Sequence, residues 1–155
     1  MKNLLLNILF QCAHRTRKIV WRIFRPTTLG VKMLLFNGNK VMLVKTRYSA
    51  KLSLPGGKVN KMEVPREAAM RELREETGIA VNDCRLVGVY SNFTEFKSDT
   101  IVLFAAETTE SKCSPGWEIA NCGFYPLDAL PADTSPATLR RIADFKKGAI
   151  IDARW

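Results

Sequence analysis

The chain is 155 residues long and 46% hydrophobic, so it can bury the core of one domain and is too short for two domains of ordinary size. Its net charge of +9 is unevenly spread, because residues 1–25 hold six lysines and arginines and no acid, which leaves about +3 for residues 26–155. That small surplus suits an anionic substrate but does not require one.

Two further counts restrict the chemistry. The four cysteines, Cys12, Cys84, Cys113 and Cys122, are scattered and form no C-x-x-C pair, which argues against a zinc site or a disulfide framework and favours a reducing cytoplasm. The single histidine, His14, argues against a mechanism built on a histidine base. We therefore expect carboxylates to carry the chemistry.

Residues 5–23 predict an amphipathic helix with a basic polar side, and Pro26 lies beyond its end. We therefore divide the chain into this basic helix, residues 1–25, and a folded domain, residues 26–155. Three interpretations of the helix are open: packing on the domain or across a homodimer, binding to an anionic membrane surface, and nucleic-acid contact, the least favoured. The apolar run at residues 4–10 is too short to span a bilayer or to form a good signal peptide, so we expect a soluble chain.

The elements that follow are extended at first. Residues 29–36 and 41–45 are typical of strands, and the Asn-Gly pair at 37–38 predicts a hairpin turn between them. The L-P-G-G run at 54–57 cannot continue a strand, so it predicts a loop. That loop leads to a helix over residues 65–77, which begins with a proline and is followed by a glycine.

The rest of the chain alternates strands and turns before a final helix. The predicted order is a strand at 85–93, a turn at 97–99, a strand at 101–107, a polar loop at 110–118, a short strand at 122–125 and a helix at 135–147. The two longer strands are expected to pair antiparallel. Strands and helices in this mixed order predict an α/β fold, an α/β/α sandwich whose mixed sheet is covered on both faces.

Three acids of the first predicted helix lie close together. Glu72, Glu75 and Glu76 stand at positions i, i+3 and i+4, so their carboxylates share one arc roughly 100° wide. Their mutual repulsion would be compensated by a divalent cation that prefers oxygen ligands, Mg²⁺ or Mn²⁺. For an isolated E-x-x-E-E, however, the commoner interpretation is a solvated acidic face balanced by arginines.

A longer pattern decides between these interpretations. Residues 57–79 read G-x5-E-x7-R-E-L-x-E-E-x-G-I. This pattern resembles the signature of the Nudix hydrolase family and departs from it at none of the fixed positions. The L-P-G-G run, the hairpin before it and residues 117–126 after it are also similar to that family, so the resemblance spans about 27–147 and leaves out the N-terminal helix.

The resemblance implies a Mg²⁺- or Mn²⁺-dependent enzyme that hydrolyses a diphosphate linkage in a small nucleotide, either a nucleoside triphosphate or a nucleoside diphosphate derivative. The metal ligands that it implies are Glu72, Glu75, Glu76 and the Gly57 carbonyl. Glu63 would pair with Arg71 and brace the loop and helix. Gly56 and Gly57 would let the backbone approach the metal and the phosphates, because glycine has no Cβ.

Other candidates stay open. The resemblance favours Glu118 as the catalytic base, because similar enzymes often carry a loop glutamate there, and Glu76 is the alternative. Arg47 and Lys58 are weaker candidates for phosphate binding, since solvated surface residues are the commoner interpretation of both. Three aromatic residues could stack on a nucleobase or simply pack on the protein: Phe93, Phe96 and Trp117.

Two positions depart from common members of the family. Met62 stands where a glycine often precedes the signature glutamate, and Leu52 stands where an aromatic residue often precedes L-P-G-G; both concern substrate fit more than catalysis. Two rival functions remain: a catalytically silent nucleotide-binding or regulatory module, and a binder of membranes or nucleic acid through residues 1–25. The complete set of glutamates argues against the first, because a binding module has no need of closely spaced, repelling acids.

Overall fold

The computed structural model describes residues 22, 23, 25–93, 96, 98–148, 154 and 155. Of the predicted N-terminal helix, Arg22 and Ile23 fall in these ranges and are helical, and the remainder lies outside the described residues. No described helix is long and apolar enough to span a bilayer.

Five strands form one mixed sheet. They are β1 (Thr27–Asn37), β2 (Lys40–Thr46), β3 (Arg85–Asn92), β4 (Ser98–Glu107) and β5 (Ile119–Pro126). The order across the sheet is β3-β4-β1-β2-β5, in which β1 and β4 run parallel and the other neighbours run antiparallel. Gly38 adopts φ +55° in the turn between β1 and β2, so the predicted Asn-Gly hairpin is confirmed.

Two helices, α1 (Pro65–Thr77) and α2 (Pro136–Lys147), cover the two faces of this sheet. Successive residues of β1 point to opposite faces, so that Met33 packs in the cluster with Leu73 of α1 while Leu34 packs in the cluster with Ile142 of α2. A strand that is buried on both faces is a nearly continuous apolar run, which is the pattern of β1. The predicted α/β/α arrangement with a mixed sheet is confirmed.

Local signals define the ends of both helices. α1 ends at Gly78, which has φ +75° and donates its N–H to the Arg74 carbonyl at 2.8 Å. α2 begins after Ser135, whose hydroxyl accepts the Thr138 N–H at 3.2 Å. Both helices therefore have the bounds that the sequence predicts.

Residues 52–59 follow β2 in sequence, but in space they lie between β1 and β2 and form backbone hydrogen bonds with both strands. β1 and β2 pair with each other beside their turn. Farther along, the Ser53 carbonyl accepts the Val44 N–H of β2 and the Gly57 carbonyl accepts the Val31 N–H of β1, each at 2.9 Å. The L-P-G-G run is thus a loop, as predicted, but it is held inside the sheet by backbone hydrogen bonds.

Two predicted boundaries were wrong. β4 already begins at Ser98, and Asp99 pairs with Asn92 of β3, so both residues belong to the strand and not to the expected turn at 97–99. Asp99 also accepts a hydrogen bond from the Thr28 hydroxyl at 2.6 Å, which holds this end of β4 beside β1. The last strand runs from 119 to 126 rather than from 122 to 125, because β2 pairs along its whole length.

The prediction about the cysteines was also wrong. Cys113 and Cys122 form a disulfide, with their Cα atoms 6.3 Å apart. They meet because the loop after β4 folds back along α1, where the Ser114 N–H donates to the Thr77 carbonyl at 2.8 Å. Sequence spacing does not reveal such a contact, and the cysteines therefore no longer argue for a reducing compartment. Cys84 is a buried free thiol.

Candidate active site

Helix α1 directs two of its acids towards the L-P-G-G loop. Its buried side, which includes Leu73, packs on the sheet, and the adjoining arc faces the two glycines. Glu76 Oε2 accepts the Gly56 N–H at 2.8 Å. A Cβ atom on Gly57 would lie 2.6 Å from the carboxylate of Glu72, so a residue larger than glycine would collide with that side chain.

Arg71 joins three carboxylates around the same loop. Its Nε donates to Glu63 Oε1 at 2.6 Å and its Nη2 donates to Glu63 Oε2 at 3.0 Å, a bidentate pair. Its Nη1 donates to Glu72 Oε1 at 2.9 Å and to Glu75 Oε2 at 3.1 Å. The Lys58 carbonyl accepts a further bond from Nη2 at 3.2 Å. One guanidinium therefore ties the loop to the acids of α1.

The acids of the site have unequal electrostatic surroundings. The hydrogen bond from Arg71 lowers the pKa of Glu63 to about 2, assisted by the Asn60 N–H. Burial instead raises the pKa of Glu72, and it raises the pKa of Glu76 to about 7, against the opposing charge of Lys32. Burial thus disfavours the charged forms of Glu72 and Glu76 more than the nearby Arg71 and Lys32 favour them.

Glu118 lies at the end of the polar loop after β4, directly before β5. Its negative charge contributes to the raised pKa of Glu76. Its carbonyl accepts the Arg47 N–H at 3.0 Å. Gly116 anchors the loop on α1, because its N–H donates to the Glu76 carbonyl at 3.1 Å and a Cβ there would collide with the Glu75 carbonyl.

The candidate substrate residues have different positions. Arg47 Nε donates to the Trp117 carbonyl at 2.8 Å, so its guanidinium supports the loop that carries Glu118. Lys58 is exposed next to Gly57. The three aromatic candidates are open to solvent, Phe93 at 69%, Phe96 at 51% and Trp117 at 70%. Arg47 thus contacts the loop that carries Glu118, the backbone of Lys58 contacts Arg71, and the three aromatic side chains are exposed.

The donors at this place fit a hard divalent cation. They are carboxylate oxygens beside a glycine that leaves room for no side chain, and oxygen is the ligand that Mg²⁺ and Mn²⁺ prefer. Within the described ranges, no three acidic, histidine or cysteine side chains already stand in a metal-binding arrangement. Arg71 bridges Glu72 and Glu75 instead, so a cation would bind after these side chains turn away from the guanidinium.

Comparison with known proteins agrees with this geometry. The NUDIX domain family model matches residues 26–145. The chain belongs to the Nudix family. It is 32% identical over 123 residues to a putative 8-oxo-dGTP diphosphatase of Bacillus subtilis strain 168, which covers 79% of this chain and 82% of that protein. It is 27% identical over 116 residues to an ADP-ribose pyrophosphatase of Methanocaldococcus jannaschii, which covers 72% of this chain and 69% of that protein.

The three-dimensional similarity extends to solved Nudix structures. The NUDIX domain of Shewanella oneidensis NrtR, solved with ADP ribose, superposes with a TM-score of 0.69 at 19% identity and covers 78% of this chain and 87% of that chain. The predicted family and fold are confirmed, and the chain is a Nudix hydrolase.

Sequence reasoning missed one charged residue of this Nudix site. Lys32 lies on β1, and its Nζ donates to the carbonyls of Leu54 and Gly56, each at 2.8 Å. A signal was present in the sequence, because a lysine interrupts the apolar run at residues 31–36. A charged residue in a strand that is covered on both faces requires partners, and that requirement marks it for attention.

Proposed function

We propose that this Nudix hydrolase uses Mg²⁺ or Mn²⁺ to cleave the diphosphate linkage of a nucleoside triphosphate or of a nucleoside diphosphate derivative. The observation that carries the proposal is the charge balance at the L-P-G-G loop. Four carboxylates of residues 63–76 gather there around Arg71 and Lys32, and Glu118 adds a fifth close by. This excess of negative charge supports the binding of a cation.

In the proposal, α1 supplies the metal ligands. Glu72, Glu75 and Glu76 hold the ion, and the Gly57 carbonyl contributes a further oxygen, although one side of that carbonyl accepts the Val31 N–H. Held by these residues, the ion would supply positive charge that offsets the negative charge of the phosphates and of the leaving group. Arg71 and Glu63 keep the loop and helix together while the ligands move.

Water is the nucleophile. Its oxygen forms a bond to one phosphorus, the bond from that phosphorus to the bridging oxygen breaks, and the bridging oxygen leaves with the electron pair. A carboxylate accepts the proton of the water, and we assign this role to Glu118, with Glu76 as the alternative. We assign phosphate binding to Arg47 and Lys58 and to the Gly56 backbone, whose N–H already contacts Glu76.

The substrate class is supported by the relatives, among which are a putative 8-oxo-dGTP diphosphatase and an ADP-ribose pyrophosphatase. The proposal is tested with a panel of nucleoside triphosphates and nucleoside diphosphate sugars, each assayed with Mg²⁺ and with Mn²⁺. The measured quantity is the rate at which phosphate-containing products are released. We expect turnover to require the divalent ion. The Glu75→Gln variant should turn over substrate on the order of a hundredfold more slowly than the wild-type protein.

Glu67→Gln is the matched control, because Glu67 lies on the same helix and is exposed. It should keep the activity of the wild-type protein. If turnover is unchanged in the Glu75→Gln variant, or proceeds equally without a divalent ion, the proposed mechanism is wrong. If the wild-type protein turns over no member of the panel, a nucleotide-binding module becomes the better interpretation.

A further inference from the structure

Lys32 lies in the middle of a buried strand. Its neighbours Val31, Met33 and Leu34 are at most 1% exposed, and Lys32 itself is half-buried. Burying part of an ammonium group costs free energy unless hydrogen bonds and charges compensate it. A lysine at this position therefore points to a purpose other than filling the core.

The partners of Lys32 are backbone carbonyls of the L-P-G-G loop. Its Nζ donates to the carbonyls of Leu54 and Gly56, each at 2.8 Å. The intervening carbonyl, that of Pro55, accepts the backbone N–H of Met33 at 2.9 Å. The backbone of β1 thus donates to the carbonyls of residues 55 and 57, and the side chain of Lys32 donates to the carbonyls of residues 54 and 56. Hydrogen bonds to a charged donor are stronger than neutral ones.

One of these carbonyls belongs to the residue that orients Glu76. Gly56 accepts from Lys32 through its carbonyl and donates its N–H to Glu76 Oε2 at 2.8 Å. Lys32, Gly56 and Glu76 therefore form a continuous hydrogen-bonded chain from β1 to α1. Gly56 has φ +134°, and a Cβ there would lie 2.2 Å from the Val31 carbonyl, so a residue larger than glycine would collide with β1.

We propose that Lys32 is a positioning residue of the active site, which holds the Gly56 peptide so that its N–H orients the Glu76 carboxylate for metal binding. The inference rests on the proposed role of Glu76 as a metal ligand. Groups that orient metal ligands typically change metal affinity or activity about 10- to 100-fold when they are removed.

The experiment compares Lys32→Met, which keeps the aliphatic chain and removes the ammonium group, with Lys32→Arg, which keeps the charge and the donors. Lys40→Met is the matched control, since Lys40 is exposed at the other end of the hairpin. Four quantities are measured: Mn²⁺ affinity of the nucleotide-free protein by electron paramagnetic resonance, kcat, KM, and the amide resonance of Gly56 in ¹⁵N-labelled protein.

For Lys32→Met we expect Mn²⁺ affinity to fall about tenfold and kcat about 10- to 100-fold, with KM within about threefold. The Gly56 amide resonance should shift towards its position in Glu76→Gln. Lys32→Arg should restore most of the Mn²⁺ affinity, and Lys40→Met should match the wild-type protein. A loss of packing alone would lower stability without the rescue by arginine and without the selective effect on kcat.

A folded Lys32→Met variant with wild-type Mn²⁺ affinity, kcat and Gly56 resonance would overturn the inference. If Lys32→Met does not fold, Lys32→Leu replaces it, because leucine suits this apolar strand and carries neither a charge nor a donor; an unshifted Gly56 resonance and unchanged Mn²⁺ affinity in that variant overturn the inference equally. Failure of the proposed function has a different signature, in which the wild-type protein itself neither binds Mn²⁺ nor turns over a diphosphate.

Discussion

Two arginines on opposite faces of the sheet differ in how their charge is balanced. On α2, Arg141 is 1% exposed, forms an ion pair with Asp144 at 2.9 Å, and lies 4.2 Å from the centre of the Tyr90 ring. Its Nη1 also donates to the Arg154 carbonyl at 2.7 Å, which connects α2 to the C-terminal residues. One cation meets one anion there, and the aromatic ring adds a cation–π contact.

On α1 the balance is different. Arg71 contacts three carboxylates, and the buried Glu76 stands close by with a pKa raised to about 7. Both clusters are built from the same kinds of residue on helices of similar length. The balanced, buried cluster around Arg141 therefore serves the fold. The cluster around Arg71 has more carboxylates than cations, and a bound cation would offset that excess of negative charge.

The largest expected effect is on activity and concerns Glu76 of α1, whose substitution should lower kcat without lowering stability. Glu76→Gln should reduce kcat on the order of a thousandfold, because it removes a proposed metal ligand. The amide oxygen can still accept the Gly56 N–H. Since burial raises the pKa of Glu76 to about 7, its charged form destabilises the fold above that pH, so the neutral amide should leave Tm unchanged or raise it.

Steady-state assays and thermal melts at pH 8 check this prediction, with Glu67→Gln as the control on the same helix. A Glu76→Gln variant that loses stability in proportion to its activity would show that the α1 cluster serves the fold as the α2 cluster does.

On α2 we expect the opposite result, a loss of stability without a loss of activity. Arg141→Met should lower the free energy of unfolding by about 3 kcal/mol, because it leaves Asp144 buried without its partner. The kcat of the folded fraction should stay at the wild-type value. Chemical denaturation measures the first quantity, and assays below the melting temperature measure the second. Arg140→Met, at the exposed neighbouring position, should change stability by no more than about 0.5 kcal/mol.

A smaller effect depends on pH. The pKa of Glu63 falls from 4.5 to about 2 in the folded protein, chiefly through its hydrogen bond with Arg71. Its stabilising contribution is therefore complete above about pH 4.5 and disappears as the pH falls towards 2. After allowance for solvent screening, we expect Glu63→Gln to cost about 1 to 2 kcal/mol at pH 7.

Melting curves of the wild-type protein and Glu63→Gln between pH 7 and pH 2.5 should converge at the acidic end. The exposed Glu107→Gln serves as the control and should run parallel to the wild-type protein throughout. A difference that stays constant, or widens, as the pH falls would contradict the assignment of the Glu63–Arg71 pair.

The smallest expected effect lies in the loop beside the α1 cluster. Met62 is 98% exposed and has φ +61°, a conformation that favours glycine. Met62→Gly should raise stability by about 0.5 kcal/mol, which is a Tm increase of about 1 to 2 °C. Met62→Ala also removes the side chain but keeps Cβ, and it should bring no gain; equal gains in both variants would point to the side chain instead.

Much of the fold follows from local signals. Pro65 and the glycine after residue 77 define α1, a Ser-Pro pair defines the start of α2, and Asn37 with Gly38 defines the first hairpin. Each signal acts within a few residues through backbone conformation or capping, so it can be recognised without knowledge of the rest of the molecule. The same holds for the acids of α1, because helical spacing alone places Glu72 and Glu76 on one arc.

Contacts between residues that are distant in sequence were decided by the tertiary structure. The hydrogen bonds of Lys32 with a loop more than twenty residues away, the Cys113–Cys122 disulfide and the balanced cluster around Arg141 each require elements that the fold brings together. Sequence patterns report which face of an element is apolar, but they do not report which loop lies against it. For this chain, the sequence by itself therefore determined α1, α2, the first hairpin and the acidic motif. Only the packing of the sheet decided which residues surround those acids.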